Sequence, residues 1–248
     1  MQNALLVGLS RQMVLGRELD VIANNMANVS TNGFKARAAR FRDHMMKDAS
    51  ADAFRSGDRR VEFVIDAGST LDIRPGTVET TGNPLDVAVK GDGFFVVQTP
   101  GGERYTRNGG FQIDATGRLV TGAGHPVLGE AGPITFTPQE SGVAIAPDGA
   151  VSTSAGNRGR IRIVRFADTR TLTNEGANVF SSAAPPQPAG AAARVEPGAI
   201  ERSNVQPVLE MTRLMEVTRA YTSISTMLGR MDELKKTAIG RLADATAA

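Results

Sequence analysis

Residues 207–242 read PVLEMTRLMEVTRAYTSISTMLGRMDELKKTAIGRL, and this stretch decides the fold class. Leu214, Val217, Tyr221, Ile224, Leu228, Met231, Ala238 and Leu242 recur in steps of three and four, with Lys235 in the remaining place. A period near 3.5 residues keeps one seam turned toward a partner helix. Pro207 suits a first helical turn, where its missing N–H is not needed. Glu210 then lies near the positive end of the helix dipole, and Lys235, Lys236 and Arg241 near the negative end. A helix of about 35 residues is roughly 50 Å long, more than one face of a compact domain of this size offers. A second apolar set, Val208, Leu209, Met211 and Met215, widens the stripe at its start, so more than one neighbour is expected there.

The other end of the chain behaves in the same way. Leu15, Leu19, Ile22, Met26 and Val29 keep steps of four, three, four and three, after a broader apolar beginning at Leu5, Leu6, Leu9 and Met13. This helix is expected to stop near Thr31-Asn32-Gly33, because Gly33 can take the left-handed conformation that closes a helix. Phe34 would fold back as a hydrophobic stop. Two stripes separated by so much sequence must bury themselves on each other, on the same helices of neighbouring copies, or on both. Isolated in water they are marginal, since their stability comes mostly from packing.

Between the helices the pattern changes. Ala36–Met46 is expected to continue as a short helix, and Asp48–Arg60 is polar. From about residue 76 to 182 short apolar runs alternate with Gly-rich turns. Leu85, Val87 and Val89 alternate with polar or small neighbours, and Phe94-Phe95-Val96-Val97 reads as a strand buried on both faces. Pro147-Asp148-Gly149, between Val143/Ile145 and Val151, reads as a hairpin. Ile161, Ile163, Val164 and Phe166 make another strand. Residues 183–198, rich in Ala, Pro and Gly, read as an extended connector. The fold class is therefore α+β: long N- and C-terminal helices pairing as a coiled-coil-like domain, with a central all-β antiparallel domain. The divisions are a helical segment 1–43, a linker 44–75, the β domain 76–182, a connector 183–202 and a helical segment 203–248.

Composition narrows the function. Net charge is +2 with a pI of about 9.2, and Arg158, Arg160, Arg162 and Arg165 fit a solvated strand face better than a nucleic-acid surface. Aromatic residues are 5% and Trp is absent, so platforms for base stacking are poorly supplied. Cysteine is absent, which removes disulfides and thiolate sites. The beginning of the chain lacks the basic region of a secretory signal peptide, and no stretch approaches the ~20 apolar residues of a membrane span.

A catalytic inventory is equally thin. His44 and His125 are the only histidines, and no zinc, phosphate-loop or nucleophile-elbow pattern occurs. Gly91-Asp92-Gly93 precedes a strand and reads as a turn. Asp86, Asp92 and Asp114 sit where Asp is ordinary. The expectation is a non-enzyme with no cofactor, metal or small-molecule substrate.

One segment is more specific. Ile22-Ala23-Asn24-Asn25-Met26-Ala27-Asn28-Val29-Ser30-Thr31-Asn32-Gly33-Phe34-Lys35 resembles the N-terminal signature of bacterial flagellar basal-body rod and hook proteins. Thr81 through Phe95, Tyr105-Thr106-Arg107-Asn108-Gly109, Asp114 through Val120, Ser203-Asn204-Val205 and Arg219-Ala220-Tyr221 follow in the family's order. The length and the segment Val205–Arg213 resemble the proximal-rod class, with the distal-rod class next.

The resemblance implies an axial subunit of the flagellar rod, spanning the periplasm and exported by the flagellar type III apparatus without a cleaved signal. It implies partnership with other rod subunits and own copies, and neither nucleic-acid binding nor membrane insertion. Leu15, Leu19, Ile22, Met26, Val29, Leu214, Val217, Tyr221, Ile224, Leu228 and Met231 would form the assembly seam. Asn24, Asn25, Asn28, Thr31, Gly33 and Phe34 carry the motif, the amides capping carbonyls or bonding between subunits. A β binding module on a coiled-coil stalk is the alternative from another class, and a periplasmic hydrolase the third.

Overall fold

The computed structural model describes residues 2–46, 61–190 and 194–246. The fold is α+β: an N-terminal helix, a central antiparallel β-rich region and a C-terminal helix. The chain divides into two compact units, one drawn from residues 1–26, 37–70 and 207–248, the other from residues 27–36 and 71–206.

The first unit holds helix α1 (Gln2–Ala27), helix α2 (Pro207–Thr246) and a two-stranded sheet of Arg37–Met46 with Val61–Leu71. α2 starts at Pro207, and its 40 residues make a rod of about 60 Å. α1 stops at Ala27, earlier than Gly33, so Val29 lies beyond the helix. The strand Arg37–Met46 corrects the helix expected over Ala36–Met46. Ala and Arg there favour helix locally, but the backbone is claimed from elsewhere. The Asn25 side chain accepts from the Arg37 N–H at 2.9 Å and donates to the Arg37 carbonyl at 2.9 Å. Tertiary bonds of this kind outweigh helix propensities of a few tenths of a kcal/mol per residue. Asp48–Arg60 lies outside the described residues.

The β-rich unit is built on a six-stranded sheet in the order Leu172–Asn174, Phe180–Ser182, Gly102–Thr106, Phe94–Thr99, Ile163–Arg165, Gln187–Pro188. Phe94–Val97, the first four residues of strand Phe94–Thr99, is covered on both faces. Phe95 and Val97 point into a cluster with Val87, Phe111, Leu119 and Val151, while Phe94 and Val96 join Tyr105, Phe166 and Phe180. Edge-to-face ring pairs mark both sides, Phe95–Phe111 at 5.0 Å and Phe94–Phe166 at 5.8 Å between centroids. The Pro147-Asp148-Gly149 turn closes a hairpin in which Ile145 faces Val151. The expectation of an extended connector is corrected in its middle, where Gln187–Pro188 pairs with Val164–Arg165, and again at its end. Arg194–Pro197 pairs with Val87–Lys90, and Ala199–Glu201 pairs with Val78–Thr80. Main-chain bonds to strands on the far side of the sequence weave this stretch into the β-rich unit.

Candidate assembly interface

In the helical unit Leu15, Ile22 and Val217 form a buried cluster, with Leu19, Met26, Leu214, Ala220, Tyr221 and Ile224 packed around it. Other contacts give the register. Glu18 accepts a hydrogen bond from Arg213 at 2.9 Å, and Asn25 donates to Glu210 at 3.2 Å. Gly16 lies under the Tyr221 ring and Gly8 under Leu228. Numbers rise along α1 as they fall along α2, so the helices run antiparallel. Because Gly8 already meets Leu228, α1 is exhausted before α2 ends.

The seam thus closes largely within one chain. Leu228 and Met231 stand half-buried toward its far end, and Val29 falls in the other unit. A different apolar set remains exposed. On α1 it comprises Leu6, Leu9 and Met13, and on α2 Val208, Leu209, Met211, Met215, Met227, Leu234 and Ile239. Val208 is 78% exposed and Met13 70%, values of side chains that stand in water and not at the edge of the core. Burial of a side chain of this size contributes roughly 1.5–3 kcal/mol, so the face is a large unspent driving force. The sequence marked the start of this set as the widened stripe at Val208–Met215, but could not tell which stripe the chain uses on itself.

The motif residues split between the two units. In the helical unit Asn24 is exposed and Asn25 is buried, its amide spanning Arg37 and Glu210. In the β-rich unit Asn28 accepts from the Thr31 hydroxyl at 3.1 Å, and the Thr31 N–H reaches the Asn28 carbonyl. Gly33 has φ +66° and is buried against backbone: a Cβ there would lie 2.4 Å from the Arg107 carbonyl carbon. Only glycine suits both the dihedral and the space. Phe34 is buried beside it.

Three charged residues near Gly33, all in the β-rich unit, escaped the sequence reading. Lys35, Arg107 and Glu201 are buried together, Lys35 Nζ donating to Glu201 Oε1 at 2.5 Å. Burial pushes the Lys35 ammonium below its ordinary range, and the Glu201 carboxylate partly offsets this. Burial likewise lowers Arg107, with Glu201 opposing. All three lie in or beside motif stretches, but nothing in their spacing announces burial. Among the described residues no group of three or more His, Cys, Asp or Glu stands ready for a metal ion. No described helix is long and apolar enough to cross a membrane.

Comparison with known proteins meets this geometry at both ends and the middle. Residues 5–35 match the flagella basal body rod protein family. Residues 88–153 match the D1 domain of flagellar hook protein FlgE/F/G, and residues 196–241 the C-terminal region of the flagellar basal body rod FlgEFG proteins. The chain is 44% identical over 245 residues to the flagellar basal-body rod protein FlgF of Caulobacter vibrioides, covering 98% of each. It is 35% identical to FlgF of Mesorhizobium japonicum over 92% of each. With the rod protein FlgG of Bacillus subtilis it shares 33% identity over 94% of this chain and 97% of that one.

Proposed function

The chain belongs to the family of flagellar basal-body rod proteins and is a structural subunit of that rod in the flagellar basal body; from this premise we propose that it is a proximal-rod subunit polymerising through its terminal helices. The observation that carries the reading is the open apolar face on α1 and α2. The seam Leu15, Leu19, Ile22 and Met26 with Leu214, Val217, Tyr221 and Ile224 first joins the two helices in a coiled-coil-like pair. Leu228 and Met231 extend it where α2 outruns α1. The exposed set then takes helices of neighbouring rod proteins or of further copies. Contacts between unlike faces that do not close into a ring generate an open helical filament.

Thr218, Thr222, Ser223 and Thr226 line a groove on α2 with Arg219, Met227, Arg230 and Leu234. Small hydroxyl side chains let another helix approach closely. The family motif sets the exits of this pair, Asn25 holding strand Arg37–Met46 and Gly33 the turn beyond α1. The 76–182 segment supplies the β domain. Export through the flagellar type III apparatus accords with ends that gain much of their burial only on docking. A structural role without catalysis fits the relatives' description as rod proteins.

The test separates folding from assembly. Met211→Asp combined with Met215→Asp places charges on exposed positions, so the monomer should melt within about 0.5 kcal/mol of the parent. Incorporation into isolated basal bodies, and swimming, should be lost. Swimming cells with normal rods would refute the assignment of this face. A deletion strain whose basal bodies carry a complete rod would refute the proximal-rod reading.

A further inference from the structure

Two buried cations share one buried carboxylate in the β-rich unit. The side chains of Lys35, Arg107 and Glu201 are 0%, 3% and 1% exposed. Glu201 Oε1 accepts from Lys35 Nζ at 2.5 Å and from the Gly76 N–H at 2.9 Å, and Oε2 accepts from Arg107 Nη1 at 3.4 Å. The Glu201 carbonyl accepts from the Gly33 N–H at 2.6 Å. Lys35 also donates to the Arg74 carbonyl at 2.9 Å. Arg107 donates to the Gly91 carbonyl at 2.8 Å and lies over the Phe94 ring, 4.9 Å from its centroid. Asn204 completes the stitching, accepting from the Ala36 N–H at 2.7 Å and donating to the carbonyls of Asp72 and Arg74.

Every one of these bonds joins segments remote in sequence. Lys35 follows α1, Glu201 precedes α2, and nearly the whole β-rich region lies between them. An ammonium group buried without its carboxylate is strongly unfavourable. Residues 33–36 therefore have no stable seat until strand Ala199–Glu201 is laid against Val78–Thr80. We propose that Lys35, Arg107 and Glu201 form a closure lock. The lock holds residues 33–36 as a strap against 72–76 and 199–204. It closes only when both ends of the β-rich region have come together, and it opens as a unit when the charge pairing is broken, leaving the β core folded.

Native-state hydrogen exchange on the full-length chain tests this, because the strap has its own reporter amides: Gly33, Ala36 and Gly76. Glu201→Gln removes a charge at nearly constant volume, and Lys35→Met removes its partner. Glu201→Gln, which strands both cations, should speed exchange at the reporters by about 100-fold or more, and Lys35→Met, which leaves Glu201 paired with Arg107, by about 10-fold, while the core amides of Val96 and Gln98 stay within about threefold of the parent. The double variant Lys35→Met/Glu201→Gln keeps one side-chain oxygen to accept from the Gly76 N–H and leaves no orphan ammonium, so that Arg107 is the one buried cation that has lost its carboxylate. Its reporters should exchange at least about tenfold more slowly than those of Glu201→Gln alone. Three results would overturn the lock: reporters unchanged in both single variants, reporters and core accelerating together, or a double variant no slower than the single. The readout is folding of the free chain, so its failure leaves the rod assignment untouched.

Discussion

In the helical unit Leu15, Ile22 and Val217 meet side chains of similar softness, while Met13, Met211 and Met215 stay in water. In the β-rich unit Gly33 is pressed against the backbone of Arg107, and Glu201 is enclosed by an ammonium, a guanidinium and a backbone N–H. The first arrangement is broad and forgiving, since apolar side chains can repack against one another or against a new helix. The second tolerates one geometry, because backbone cannot retreat and a buried charge cannot be left alone. A subunit that must be both well defined and able to join others benefits from keeping these chemistries in separate parts. The rigid part is complete in one chain. The compliant part is finished only at its seam.

The sharpest way to break this contrast is Gly33→Ala. A Cβ at that position would stand 2.4–2.5 Å from the carbonyl group of Arg107 and the N–H nitrogen of Asn108, at φ +66°. None of those atoms is a side chain that can swing away. The substitution should cost more than about 3 kcal/mol, read as a fall in the urea midpoint of the near-ultraviolet aromatic signal. A midpoint within error of the parent would mean the junction is softer than its geometry indicates.

Ile224→Asp attacks the compliant side. The residue packs against the seam cluster, so an aspartate there should cost about 2–3 kcal/mol. The helical circular dichroism should melt earlier while the hydrogen-exchange protection of the Val96 and Gln98 amides in the β-rich unit stays put. Coincident loss of both signals would show the two units to be one cooperative body.

Much of this division was readable before the structure, and its gaps have physical causes. The three-and-four steps of Leu214, Val217, Tyr221 and Ile224 report a helix face because side-chain direction follows from local geometry. The run Phe94–Val97 reports a doubly covered strand for the same reason. Whether Ile22 meets Val217 of its own chain or of another is not local, and periodicity is silent on it. The strand at Arg37–Met46 was unreadable because its cause, the Asn25 amide, acts through space on a stretch with helical composition. Lys35, Arg107 and Glu201 were invisible for a related reason: charge is expected outside, and only the topology brings the three together.

Acid should separate the units further. Burial raises the Glu140 carboxyl, but hydrogen bonds from Thr137, Thr153 and Arg158 outweigh it and bring the group down to about 2. A carboxylate held below its unfolded value contributes stability that is full above the ordinary value of 4.5 and is lost as pH falls toward 2. The β-rich unit should therefore weaken across that window, and Glu140→Gln should flatten the dependence of its urea midpoint on pH. An unchanged slope in the variant would assign the acid sensitivity to other carboxylates, among them Asp148 and Asp168, which are also held low.

Gly8→Ala is the gentlest probe and the most direct measure of compliance. A Cβ on Gly8 would lie 2.6 Å from Leu228 Cδ2, nominally as severe a clash as the one at Gly33. The difference lies in what is struck: every nearby atom belongs to the Leu228 side chain, which is half-exposed and free to change rotamer. Alanine is also favoured over glycine inside a helix by about 1 kcal/mol. The two effects should nearly cancel, leaving the helical melt within about 1 kcal/mol of the parent. Once Leu228→Ala has cleared the space, adding Gly8→Ala should stabilise by about 1 kcal/mol, because only the propensity gain is left. Were Gly8→Ala as damaging as Ile224→Asp, the helix pair would be as unyielding as the junction, and the distinction between the two units would rest on polarity alone.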